Sequence, residues 1–167
     1  MSEAPQRVAA ITLDERTVLR RSPAIEHERA AAVTDLLKDN RFVPASGRTG
    51  PFHLTLAIAE NRLAMEIRAL ANGSSETIML ALAPFRRIVK DYFLVCESHY
   101  EAVRSKSLTR VEAIDVGRRS LHDEGAALLI ERLAGKVAID HATARRLFTL
   151  ICVLHLRAGT GFAHRHS

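Results

Sequence analysis

The stretch that most limits how this chain can fold is its longest apolar run, Leu147 to Leu156, broken only by Thr149 and His155. It falls well short of the ~20 apolar residues that a membrane-spanning helix needs. A helix that is apolar on most sides must instead be covered on most sides. The segment from about Asp140 to Arg157 is therefore expected at the centre of its domain. The remaining sequence has to supply the layers around it. At 167 residues the chain has the usual size of one domain and can bury a core without disulfides or a structural metal. Its 47% hydrophobic and 26% charged residues exclude a disordered chain.

The N-terminal half reads as mainly β. Alternation from Arg7 to Asp14 predicts a strand. Ser22 followed by Pro23 predicts a helix start, with a cap and a proline in the first turn. That helix is expected to run to about Asn40, facing inward through Ile25, Ala32, Val33, Leu36 and Leu37. A loop rich in Pro, Ser and Gly, Pro44 to Pro51, is the segment expected to move most. Phe52 to Ala59 and Arg62 to Leu70 flank Glu60-Asn61, which suits a tight hairpin. A third strand, Glu76 to Leu82, follows the turn signal Asn72-Gly73-Ser74-Ser75.

The C-terminal half predicts three helices. The first spans Pro84 to about Arg104, with Phe85, Ile88, Val89, Tyr92, Cys96, His99, Tyr100 and Val103 on one face. The second spans about Ser107 to Ala134, with Val111, Ile114, Leu121, Leu128, Leu129 and Leu133 inward. The third is the apolar helix already described. The fold class expected is thus α+β: a small, mainly antiparallel four-stranded sheet with one N-terminal helix, then a three-helix half with a central buried helix. One domain covers 1–167, β-rich over about 7–82 and helical over about 84–157, with 158–167 as a flexible tail.

Cys96 and Cys152 both fall in apolar helical patterns and read as reduced core residues. No CxxC pairing supports redox chemistry, and one histidine three residues after each cysteine is a weak zinc signal. Neither a metal nor a cofactor is expected. Glu3 near the start and the lack of an apolar block beside a basic one argue against a signal peptide, which makes the cytoplasm the expected location and a membrane role unexpected.

Strong catalytic signatures are missing: there is no GxGxxG, P-loop, HExxH or GxSxG. What remains is charge. The formal net charge is +5, and arginine supplies 20 of the cations against 4 lysines. Arginine suits forked contacts with carboxylate or phosphate. Four doublets stand out: Arg20-Arg21, Arg86-Arg87, Arg118-Arg119 and Arg145-Arg146. Two of them lie at helix starts, where backbone N–H groups also favour anions. The plain alternative is pairing with local acids such as Asp14, Glu26, Asp91 and Asp140.

Arg118 sits inside the apolar arc of its helix, with His122 at the edge and Asp115 seven residues before it on the same side. Gly117 and Gly125 would let another backbone approach that face closely. A buried arginine has to be paired, so Arg118 is expected either to bridge to the Glu26-His27-Glu28 segment or to form a polar pocket with these groups. His27 and His122 are the histidines with charged neighbours. His99 and His155 read as core residues, and His164 and His166 as tail residues.

The strings SPAIEHERA (Ser22 to Ala30), PFRRIVKDYFLVCESHYEA (Pro84 to Ala102), VEAIDVGRRSLHDEG (Val111 to Gly125) and TARRLFTLICVLH (Thr143 to His155) resemble the bacterial uncharacterised protein family 0262 over nearly the whole chain. The chain departs from that pattern at His99, where tyrosine is usual, and at Ser120 and Asp123, where Gly and Asn are familiar. The resemblance implies a free-standing alphaproteobacterial protein of the cytoplasm. It implies no activity and brings no catalytic residues.

The leading expectation is a non-enzymatic binding or regulatory module. Its anion contacts would come from Arg86, Arg87, Arg118, Arg119, Arg145 and Arg146, and its partner would be a small phosphate-bearing ligand or an acidic protein segment. The enzyme alternative is a small hydrolase or isomerase with His122 as base, oriented by Asp115 or Glu26, with His27 as a further candidate. Nucleic acid is a weaker partner, because 5% aromatic residues and no Trp make a poor stacking platform. A homo-oligomer is the last alternative, suggested by Leu94, Val153 and Leu156 on faces that are usually polar.

Overall fold

The alternation seen in the N-terminal half produces a sheet with one buried face. In the computed structural model, which describes residues 6–15 and 22–159, strands β1 (Val8–Leu13), β3 (Phe52–Ala59), β4 (Arg62–Ala69) and β5 (Ser75–Ala81) form a sheet in the order β1-β3-β4-β5. The β3–β4 and β4–β5 pairs are antiparallel, while β1 runs parallel to β3. Phe52, Leu54 and Leu56, with Leu63, Met65, Ile67, Ile78 and Leu80, line the buried face. Glu60 and Asn61 take positive φ values of 53° and 65° at the β3–β4 turn, the conformation a tight hairpin needs.

The parallel β1–β3 pair requires a crossover, and α1 (Pro23–Lys38) provides it. Ser22 caps α1 as its spacing predicts: its Oγ accepts from the Ile25 N–H at 3.1 Å. A second small sheet joins β2 (Phe42–Pro44) to β6 (Val137–Ile139). Three-residue strands are too short to show a period, so the sequence pattern gives no hint of them. The 44–51 loop between β2 and β3 is anchored. Arg48 donates to the Ser74 hydroxyl at 3.2 Å and to the Ser75 carbonyl at 2.8 Å.

The C-terminal half comprises a short 3-10 turn (Ala83–Phe85), α2 (Arg86–Arg104), α3 (Leu108–Leu133) and α4 (His141–Gly159). Helix α4 touches α1, α2, α3 and β3, and Leu147, Phe148, Leu150, Ile151, Cys152, Val153 and Leu154 are all buried. It is the central helix that its composition demands. Val153 thus belongs to the core and not to an outer face. Leu94 is exposed, while the side chain of Leu156 lies outside the described residues. Burial fades toward the α2–α3 turn, where Val103 is 49% exposed despite its place in the apolar stripe. Both cysteines are free and buried. No helix among the described residues is long and apolar enough to cross a membrane. Arg20, Arg21, His164 and His166 lie outside the described residues, as does the tail beyond Gly159.

Candidate functional site

The polar residues set into the apolar helix faces meet where α1, α2, α3 and α4 converge. Glu28 occupies the inward stripe of α1, three residues after Ile25 and four before Ala32, and is 9% exposed. A carboxylate so placed needs partners. Arg118 of α3 donates from Nη1 to Glu28 Oε2 at 3.1 Å, and Tyr92 of α2 donates its hydroxyl to Glu28 Oε1 at 2.7 Å. Arg118 also donates from Nη2 to Asp115 Oδ1 at 2.9 Å, while Arg119 reaches Asp115 Oδ2 at 2.7 Å. The Arg118 guanidinium, helped by Arg119, holds the Asp115 carboxyl below the usual carboxylate range. Arg118 thus bridges to the Glu26-His27-Glu28 segment, through Glu28.

His122 continues the network. Its Nε2 lies 2.8 Å from the Tyr92 hydroxyl and 3.3 Å from Thr149 Oγ1 on α4. The proton positions follow from the partners. Tyr92 gives its only O–H to the Glu28 carboxylate, which Arg118 keeps in its ion pair. Thr149 gives its own O–H to the Arg145 carbonyl at 3.1 Å. Both hydroxyl oxygens therefore face His122 as acceptors, and His122 must carry its hydrogen on Nε2. Nδ1 is left with a lone pair. Burial, followed by the Arg118 charge, lowers the His122 pKa to about 4, so the ring is neutral at neutral pH. Burial likewise raises the Tyr92 hydroxyl well above the ordinary range.

His122 is therefore oriented by Tyr92 and Thr149, not by Asp115 or Glu26. Asp115 does lie on the right side of α3, but the nearer Arg118 and Arg119 take its oxygens. Glu26 is exposed on α1, as is His27 beside it. His27 lines a neighbouring cleft of about 140 Å³ with Glu28, Cys96, His99, Tyr100 and Val103. His99 Nε2 stands 3.8 Å from Asp115 Oδ1, and His155 is a half-buried helix residue whose pKa burial lowers.

A cleft of about 150 Å³ opens beside His122, lined by Glu28, Asp35, Arg118, Arg145, Arg146 and Thr149 together with Ala31 and Ala32. Three of the six arginines expected to contact an anion come together here. The other three do not. Arg87 is 63% exposed and pairs with Asp91 and Glu124, Arg119 is 72% exposed and bound to Asp115, and Arg86 lies beside His155. Their places at a helix start or next to Arg118 in sequence do not carry them into the cleft. Arg145 and Arg146 form no ion pair among the described residues, and Arg145 Nε is buried without a hydrogen-bond partner there. Such an orphan is costly and uncommon in a native interior. Among the described residues no group of three or more His, Cys, Asp or Glu is arranged to hold a metal ion.

Glu28, Tyr92 and Thr149 escape the motif search, although each leaves a trace. Glu28 and Thr149 are polar residues at apolar positions, and Tyr92 is the polar-tipped member of the α2 stripe.

Residues 5–157 match the model of a family described as Uncharacterised protein family (UPF0262). The chain is 58% identical over 147 residues to a UPF0262 protein of Rhodospirillum rubrum, covering 88% of this chain and 91% of the relative. A UPF0262 protein of Rhodopseudomonas palustris is 53% identical over 153 residues, covering 92% of this chain and 94% of the relative. One from Rhizobium etli is 48% identical over 157 residues, covering 94% of this chain and 99% of the relative. No solved structure matches the chain.

Proposed function

The chain belongs to the uncharacterised family UPF0262, and for this member we propose a non-enzymatic binding module whose cleft between α1, α3 and α4 takes a small anion such as a phosphate group. The observation that carries this proposal is the state of Arg145 and Arg146. Both line the cleft without an acidic partner among the described residues, and Arg145 Nε is buried and unsatisfied. Arg118 adds charge but is already committed to Glu28 and Asp115, so it closes one wall of the cleft. A volume of about 150 Å³ is smaller than the ~300–1,000 Å³ of sites that enclose a whole drug-sized ligand. Space of that size suits one anionic group, with any remaining part of a ligand outside. It does not suit a run of acidic side chains.

The test is a thermal-shift panel of inorganic anions and phosphorylated metabolites at ~150 mM salt. A ligand that binds only the folded state raises the melting temperature by mass action. The proposal expects a shift of several degrees with at least one phosphate compound, lost in Arg145→Gln and Arg146→Gln. Shifts that survive in both variants would exclude this cleft.

An enzyme using His122 as acid or base is the second reading, favoured by the Glu28–Tyr92–His122 chain of hydrogen bonds. A base lowered to about 4 takes a proton weakly near neutral pH, which is why binding ranks above catalysis. Turnover of a phosphomonoester that disappears in His122→Gln would reverse the order.

A further inference from the structure

The cleft is not uniformly a donor surface. Arg145 and Arg146 can only donate hydrogen bonds. Opposite in kind are two acceptors. Asp35 lines the cleft from α1, and its carboxylate has no hydrogen bond or ion pair among the described residues. His122 supplies the other. With its hydrogen fixed on Nε2 between Tyr92 and Thr149, its Nδ1 is an acceptor without a partner there, and it is not sealed away from solvent. The neighbours of His122 bear both signs: Arg118 and Arg145 on one side of the balance, Glu28 and Asp123 on the other.

A fully deprotonated oxyanion would satisfy the arginines yet set its oxygens against two acceptors. A hydrogen-bearing oxyanion would satisfy the arginines and also supply a donor to the acceptors. We infer that the cleft selects an oxyanion that keeps a hydrogen, with Arg145 and Arg146 donating to its charged oxygens, Asp35 accepting from its O–H, and His122 Nδ1 accepting from a second hydrogen where the anion carries one. Hydrogen phosphate has that form at neutral pH, whereas sulfate has no hydrogen to give. A site built around acceptors discriminates by orders of magnitude against an analogue lacking the donor, because its own polar groups are left unpaired. This inference rests on the anion-binding reading above.

A hydrogen-bearing phosphate can be free inorganic phosphate or a phosphomonoester monoanion, and the two separate by pH. The second phosphomonoester pKa is about 6, so such a ligand gains its hydrogen only as the pH falls toward that value.

The experiment is calorimetric titration of the full chain at pH 7.5 with inorganic phosphate, sodium sulfate and phenyl phosphate, repeated at pH 6. Phosphate is expected to bind at least ~10-fold more tightly than sulfate. Phenyl phosphate that tightens between pH 7.5 and 6 identifies the monoester as an accepted source, and phenyl phosphate that stays silent at both identifies the free ion. Asp35→Asn, which replaces an acceptor by a group that can also donate, should raise sulfate affinity and narrow the preference to within ~3-fold. Since Asp35 is tied to no other described side chain, this variant is expected to fold even if His122→Gln does not. Sulfate binding as tightly as phosphate overturns the selectivity and leaves the anion site standing. An undiminished preference in Asp35→Asn and in folded His122→Gln overturns the assignment of the acceptors. If neither anion binds, the anion-binding reading falls, and the selectivity with it.

Discussion

Arg118 on α3 places its Nη1 3.1 Å from Oε2 of Glu28 on α1, so two helices far apart in sequence are joined by one largely buried ion pair. Breaking such a pair costs more than the pair contributes, because the remaining charge is stranded. Arg118→Met leaves Glu28 with only the Tyr92 hydroxyl. The expected loss is about 3 kcal/mol, at the low end of the buried-pair range because Arg118 retains 23% exposure. The double variant Arg118→Met, Glu28→Met should recover most of that loss. Urea unfolding of the single and double variants measures both; a double variant no more stable than Arg118→Met would contradict the account.

Gly125 and Gly117 lie on the same helix and have opposite fates. A Cβ at Gly125 would fall 2.5 Å from the buried Phe148 ring, whereas one at Gly117 meets nothing within 4 Å. The close approach predicted for this face is therefore made by a ring, at Gly125 alone. Gly117→Ala should stabilise by up to ~1 kcal/mol through helix propensity. Gly125→Ala should destabilise, because an overpacking cost of ~1–3 kcal/mol outweighs the same propensity gain. Thermal denaturation of the two variants should move in opposite directions.

His122 gives a pH signature of known sign. Its folded value of about 4 lies below the ordinary 6.5, so between these limits the unfolded chain binds the extra proton. Stability present above pH 6.5 is progressively lost as the pH falls to about 4, and this group removes no more below that. Asp115, also lowered, loses its contribution only at more acidic pH, beneath the usual carboxylate range. Urea midpoints should fall between pH 7 and pH 4.5, and the fall should be smaller in folded His122→Gln.

Asn40 works as a substitute strand residue. Its Oδ1 accepts from the Val8 N–H at 2.7 Å, and its Nδ2 donates to the Val8 carbonyl at 2.9 Å. Val8 is fully buried, where the β1–β3 register shifts. Asn40→Ala leaves both backbone groups without partners and should cost about 1–3 kcal/mol. Hydrogen exchange at the Val8 amide should accelerate with it.

Periodicity made the main elements legible, since α4 and strands β3 to β5 carry long, consistent patterns. The three-residue strands β2 and β6 had no room for a pattern, and the parallel β1–β3 pairing depends on distant chain that alternation does not encode. At the site, Arg118 was conspicuous as a charge in an apolar arc, and its need for a carboxylate pointed to the 26–28 segment. Glu28 is harder to single out, because Glu26 lies two residues away and a rotation of about 200° around the helix decides which of the two faces inward. The doublets misled in part: sequence adjacency put Arg119 beside Arg118, but successive helix residues diverge by about 100°. Convergence of Arg118 with Arg145 and Arg146 depends on how α3 packs on α4, which no local pattern states.

In the proposed function, Arg145 and Arg146 hold an anion in the cleft beside His122. The decisive experiment is calorimetric titration of inorganic phosphate into the wild-type chain and into Arg145→Gln/Arg146→Gln, at pH 7.5 and ~150 mM salt. Saturable binding of one phosphate per chain is expected in the wild type, with its loss in a folded double variant. No binding to the wild type, or equal binding to both, would contradict it.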